Sequence, residues 1–132
     1  MDRAELRKTN TNVLAYMGDA VYEQFVREFL VRENMIDVHK LHQAATKYVR
    51  AAAQAYAIRI LFDELAPEEQ DLVKRARNRK PVTMAKNADP LDYRWATALE
   101  ALVGYLYLAG ETDRLQEIMD RAIAITREHE VA

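Results

Sequence analysis

From Trp95 to Gly110 the chain reads WATALEALVGYLYLAG, a helix-forming run in which Glu100 is the only charged side chain. A helix that is apolar on nearly every face has no solvent side, so other elements must surround it. The run is too short and too interrupted to span a bilayer, which takes about 20 mostly apolar residues. Glu100 is the anomaly. A carboxylate in such surroundings is costly unless a cation, a metal or strong donors meet it.

The pattern occurs a second time. From Val13 to Tyr22, VLAYMGDAVY, the only charge is Asp19. Each solitary acid sits near a helix-interior glycine: Gly18 directly precedes Asp19, and Gly104 lies one turn after Glu100. Glycine inside a helix costs roughly 1 kcal/mol relative to alanine, so its presence marks close backbone approach. Two helices of this kind are expected to cross and bring their carboxylates together.

The remainder is consistent with an all-α chain. Half the residues are apolar, only 3 Gly and 3 Pro interrupt them, and no apolar/polar alternation signals a strand. The 132 residues are read as a single domain, 1–132, with room for a real core. With no cysteine, disulfides and thiolate metal sites are excluded, which fits a reducing cytoplasm. The N-terminus MDRAELRKTN has no apolar segment like that of a signal peptide, and no membrane association is expected. Serine is absent, so serine-nucleophile chemistry is excluded too.

The net charge of −2 argues against a general nucleic-acid binder, but the distribution is uneven. Lys74, Arg75, Arg77, Arg79, Lys80 and Lys86 fall in a stretch from Leu72 to Ala88 that contains no acid. A near-neutral average can conceal a basic patch.

Spacing and capping signals divide the chain. A first long helix is expected from Thr11 to about Arg32, then a turn at Asn34 and a helical stretch capped by Asp37. That stretch, reaching about Leu65, is too long for one straight helix in a small domain, so a break is expected near Val49–Arg50. Pro67 with Glu68 and Glu69 starts the next helix, which ends in Lys74, Arg75 and Arg77. Asn78 to Ala88 is the one long loop. Asp89-Pro90 opens the central helix, Gly110 stops it, and Thr112-Asp113 opens a last amphipathic helix.

Asp19 and Glu100 could bind one Mg²⁺, with Mn²⁺ a possible substitute; such a hard cation takes one or two carboxylates and fills its shell with water and phosphate oxygens. A cation there would polarise a phosphodiester and activate water, and the basic loop would hold the phosphate backbone. The combination describes a hydrolytic nuclease. Plainer alternatives stay open. Asp19, Glu23 and Arg27 share a helix face and could be a solvated charge ladder. Glu100 could be neutralised by Arg94 or another cation, and the basic loop could be merely solvated. His39 and His42, spaced i,i+3, lack a third ligand for zinc. Nucleotide pyrophosphohydrolases of the helical, Mg²⁺-dependent kind need a denser carboxylate cluster.

The segment LAYMGDAVYEQFVR, residues 14–27, resembles the signature helix of ribonuclease III endonuclease domains. ATALEALVGYLYL, residues 96–108, resembles their second catalytic helix, and LHQAATKYVRAAAQA and the stretch from VKRARNRK onward are similar to the short bacterial branch, Mini-ribonuclease III. The resemblance covers nearly the whole chain in the right order. It implies an all-helical homodimer that cleaves double-stranded RNA with Mg²⁺, its two sites cutting opposite strands. It also implies maturation of the large-subunit (23S) ribosomal RNA precursor, with a ribosomal protein as a candidate helper.

The same resemblance makes Asp19 and Glu100 the catalytic and metal-binding acids. It places Tyr16 across the dimer interface. The branch lacks the family's separate double-stranded-RNA-binding domain, so RNA affinity is expected from Arg77, Arg79, Lys80 and Lys86, with Asn87 secondary. A-form RNA is read mainly through phosphates and 2′-hydroxyls, which suits cations. The broader family places four carboxylates in each site; the other two positions fall here on Ala15 and Thr97. Glu23 is a candidate to compensate. A catalytically silent RNA-binding or ribosome-assembly module on the same fold is the alternative these departures favour.

Overall fold

The computed structural model describes residues 1–81 and 89–131. Among them are seven α-helices and no strand: α1 (Arg3–Lys8), α2 (Thr11–Arg32), α3 (Val38–Val49), α4 (Ala51–Leu61), α5 (Pro67–Asn78), α6 (Pro90–Leu108) and α7 (Thr112–Val131). A 3₁₀ turn, Phe62–Glu64, follows α4.

Local chemistry sets the boundaries. The Asn10, Asp37 and Asp89 side chains accept from backbone amides at the starts of α2, α3 and α6, filling acceptors that a helix N-terminus lacks. The expected break falls at Arg50, whose extended backbone ends α3 and begins α4. At the start of α5, Glu69 reaches back to the Ala66 amide at 2.8 Å; alanine has no oxygen to reciprocate, so only half of a capping box forms. Asn34 turns the chain at φ 64° after α2, a conformation asparagine tolerates better than most residues. Gly110, at φ 73°, ends α6: its amide bonds Tyr107, and the Glu111 amide bonds Leu106 at 3.0 Å.

The expectation for the N-terminus needs an addition. Residues 3–8 form α1, with Asp2 capping the Glu5 amide, although Leu6 is its single buried side chain. One buried side chain in one and a half turns gives no periodicity to read.

α6 is the hub, packed by α2, α4, α5 and α7, as its all-round apolar surface requires. Leu99, Leu102 and Val103 of α6 are buried with Leu14, Tyr22 and Val26 of α2, Ile58 and Leu61 of α4, and Ile118 and Met119 of α7. α2 and α6 cross at their glycines. A β-carbon on Gly18 would lie 1.7 Å from the Glu100 carbonyl oxygen, and one on Gly104 would lie 1.9 Å from that of Leu14. Either helix therefore presents bare backbone to the other, and no side chain larger than hydrogen fits at the crossing. Among the described residues no helix is long and apolar enough to cross a membrane.

Candidate active site

Asp19 follows Gly18 and Glu100 precedes Gly104 by one turn, so the crossing that buries the glycines sets the two acids face to face. Glu100 is mostly enclosed while Asp19 opens to solvent. Burial first, and then the neighbouring Asp19 carboxylate, push the Glu100 carboxyl up to about 9; Gln54, on α4, works the other way. Two carboxylates brought together in this way do not both ionise cheaply, and it is the charged form of Glu100, the more enclosed of the two, that is disfavoured.

The alternatives left open by the sequence divide. Glu23 does pair with Arg27, at 3.1 Å, and faces a separate depression with Ala20, Gln24 and Glu28. Asp19 stands apart from that ladder, and Glu23 is not among the residues that line the acidic site. Arg94 does not neutralise Glu100: its Nη1 points to the Arg77 carbonyl oxygen at 3.5 Å. Among the described residues no cation forms an ion pair with Glu100 or Asp19.

A pocket of about 380 Å³ opens over the acids. Asn12, Ala15, Tyr16 and Asp19 line it from α2, Ala76 from α5, Arg79 and Pro81 from the segment that follows, and Tyr93, Arg94, Thr97 and Glu100 from α6. A larger depression, about 580 Å³, lies between α1, α5 and α6, but its charges cancel within it. There Arg3 meets Glu111 and Glu68, Arg114 meets Glu69, and Arg75 meets Asp71. Of these two, and among the described residues, the smaller joins carboxylates without an ion pair to guanidinium groups.

The expected RNA-contacting residues separate in space. Arg79 lines the pocket. Arg77 lies over the Trp95 ring, 4.9 Å from its centre, and its Nε donates to Asn78 Oδ1 at 3.1 Å. Lys80 is exposed beside the pocket mouth without lining it. Lys86 and Asn87 lie outside the described residues. Arg94 is the lining cation that the sequence pointed to only as a salt-bridge partner; its place two turns before Glu100 on α6 was the available signal.

Tyr16 is 83 % exposed at the pocket rim, which removes the possibility of a core tyrosine. Ala15 and Thr97, the positions where the resemblance calls for acids, both face the pocket. The Thr97 hydroxyl is committed to the Tyr93 carbonyl oxygen at 2.9 Å. His39 and His42 are exposed on α3, consistent with surface histidines.

Among the described residues no group of three or more His, Cys, Asp or Glu side chains gathers as a metal cluster. Two carboxylates remain, oxygen donors with one member half-buried and, among the described residues, no ion pair to either. That donor set fits a hard divalent cation that keeps most of its water, as Mg²⁺ does, and does not suit zinc, which takes nitrogen and sulfur. A cation there would offset the negative charge that burial and Asp19 disfavour on Glu100.

Comparison with known proteins agrees with this geometry. The ribonuclease III domain family matches residues 12–111, which contain both acids and both glycines of the crossing. A Mini-ribonuclease 3 from Brevibacillus brevis is 47% identical over 129 residues, covering 95% of this chain and 96% of the relative. Another Mini-ribonuclease 3, from Symbiobacterium thermophilum, is 50% identical over 109 residues, covering 83% and 84%. The crystal structure of a Fusobacterium nucleatum protein superposes with a TM-score of 0.81 at 27% identity, covering 91% of this chain and 96% of that one. With the family spanning the helical crossing and such relatives matching nearly end to end, this chain belongs to the ribonuclease III family, in its Mini-ribonuclease 3 branch.

Proposed function

We propose that the protein is an endoribonuclease that cleaves double-stranded RNA with Mg²⁺ and acts as a homodimer on the large-subunit (23S) ribosomal RNA precursor in the cytoplasm. Residues 1–132 act as one catalytic domain. The observation that carries the reading is the pairing of Asp19 with Glu100 beneath a pocket that also holds Arg79 and Arg94.

Each group has a task in this reading. Asp19 and Glu100 are the catalytic pair and hold the cation, whose chemistry when bound is to polarise the phosphodiester and activate water. Arg79 and Arg94 bind the scissile phosphate and stabilise the charge that develops on its oxygens. Arg77, Lys80 and Lys86 contribute cationic potential along the backbone of the duplex. The enclosed side of Glu100 keeps bulk water from competing for its oxygens.

Ala15 and Thr97 support one competing reading, a silent RNA-binding module, since neither can ligate a cation as a carboxylate does. Digestion of long duplex RNA with Mg²⁺, and then with EDTA, separates the two. Endonucleolytic products that require Mg²⁺ and vanish in Asp19→Asn are expected. Metal-independent RNA binding with no cleavage would establish the silent module instead.

A further inference from the structure

Behind Glu100 lies a polar side chain that the fold leaves idle. Gln54 of α4 is 3 % exposed, and its Nε2 has no hydrogen-bond acceptor among the described residues. A buried donor without an acceptor costs stability. The cost is conspicuous because the surrounding layer is apolar: Ala53, Ala55, Ala57 and Ile58 are all buried on the same helix. An aliphatic side chain at position 54 would avoid it. Tyr22 of α2, 1 % exposed, is in the same condition, its hydroxyl without a partner.

The Gln54 amide faces Glu100 closely enough to influence its carboxylate, without closing a hydrogen bond. An ionised carboxylate offers about four lone-pair sites. A cation shared with Asp19 would occupy one or two of them. The rest need donors in a place that water barely reaches. Arg94 is turned to the Arg77 carbonyl, and among the described residues no ion pair reaches Glu100. Among the described residues Gln54 is one buried donor near Glu100, and the Tyr22 hydroxyl, which also feels the Glu100 charge, is another; of the two, only Gln54 lowers the Glu100 carboxyl.

We propose that Gln54 is a positioning residue for the acidic pair, its Nε2–H donating to one Glu100 oxygen and so leaving the other for a divalent cation held with Asp19. This rests on the reading of Asp19 and Glu100 as cation ligands. Groups that orient a metal ligand from behind typically change metal affinity about 10–100-fold when removed. Gln54 touches neither substrate nor water in this role; it acts through Glu100.

The test is a Mn²⁺ titration of the full chain, reading free Mn²⁺ by electron paramagnetic resonance, with thermal melts of the same samples before cation is added. Wild type, Gln54→Leu, Gln54→Met and Asp19→Asn are compared. The two Gln54 variants are expected to bind Mn²⁺ about 10–100-fold more weakly and yet to melt at a higher temperature than wild type without cation. A purely structural glutamine would move both readouts downward together, and that result would overturn the proposal. Unchanged Mn²⁺ affinity in both variants would also overturn it while leaving the cation site intact. Wild-type binding no tighter than that of Asp19→Asn would overturn the site and the proposal alike.

Discussion

In the proposed reading the chemistry turns on Glu100, and the cost of that residue can be measured. Its carboxyl binds a proton more tightly in the fold than in the unfolded chain, about 9 against 4.5, chiefly through burial and then Asp19. Between those values the folded state holds the extra proton, so stability falls as pH rises. Its contribution is fully present below about pH 4.5 and is lost by about pH 9, at no more than about 1.4 kcal/mol per pH unit. Thermal melts in EDTA are therefore expected to drop from pH 5 to pH 9. Glu100→Gln, which cannot ionise, should flatten that slope, and millimolar Mg²⁺ should raise the wild-type midpoint more at pH 8 than at pH 5. Arg77, in the last turn of α5, and Arg79, its C-cap, should separate as well. Arg79→Ala is expected to weaken duplex binding and lower the salt slope by about one. Arg77→Ala should, besides a smaller loss of duplex binding, cost about 0.5–1 kcal/mol of stability through its lost contact with Trp95, seen in urea unfolding.

At the scale of elements, the crossing of α2 and α6 decides whether a site exists. Gly18 and Gly104 each abut main-chain atoms of the facing helix, which cannot rotate aside as a side chain would. Gly18→Ala or Gly104→Ala must push the helices apart, and each is expected to cost at least about 3 kcal/mol, at the upper end for overpacking. Urea midpoints check this, and surviving folded protein should bind Mn²⁺ poorly because the acids separate with the helices. A second element-scale contact ties α5 to α7. Arg114 donates through Nε and Nη2 to both Glu69 oxygens at 2.9 and 2.8 Å, while Glu69 also caps Ala66. Burial alone would raise the Glu69 carboxyl; the Arg114 bonds and charge and the Ala66 amide outweigh it and hold it below the usual range. That stabilisation is present above the unfolded carboxylate value and lost as pH falls through the folded one. Arg114→Ala should cost about 1–3 kcal/mol, measured by denaturant titration at neutral pH, with a smaller difference in acid.

For the whole molecule, the surface near the pocket is the informative part. Tyr16 and Val13, one turn apart on α2, are both exposed, and Tyr16 lines the pocket of the acidic pair. A large aromatic group standing in water at the rim of a site fits the two-fold assembly proposed here, in which the same patch meets its copy. Tyr16→Arg would set like charges against each other across such a contact. Sedimentation equilibrium is expected to show a dimer for wild type and a monomer for this variant, with an unchanged helical spectrum. Cleavage of both strands at one locus should then give way to single-strand nicks. A wild-type monomer that cuts both strands would remove Tyr16 from the interface.

What the residues determined by themselves is the helical plan and the identity of the acids. Apolar spacing, the Asp and Asn caps, Pro67 and Pro90, and Gly110 are local signals, and the helix limits from Thr11 to Leu108 follow them because a cap or a proline acts within one turn. Two solitary carboxylates in apolar helices were legible for the same reason: their neighbours in sequence are apolar whatever the fold. α1 was not legible despite its Asp2 cap, since it buries only Leu6 and is held by contacts such as Arg3 with Glu111 that lie far off in the chain. Nor could the sequence say that Arg79 and Arg94 would share a pocket with the acids while Arg77 turned to Trp95, or that Gln54 would sit behind Glu100. Those placements depend on how α2, α4, α5 and α6 pack around one another, and packing is a property of surfaces brought together from distant segments, which no local pattern encodes.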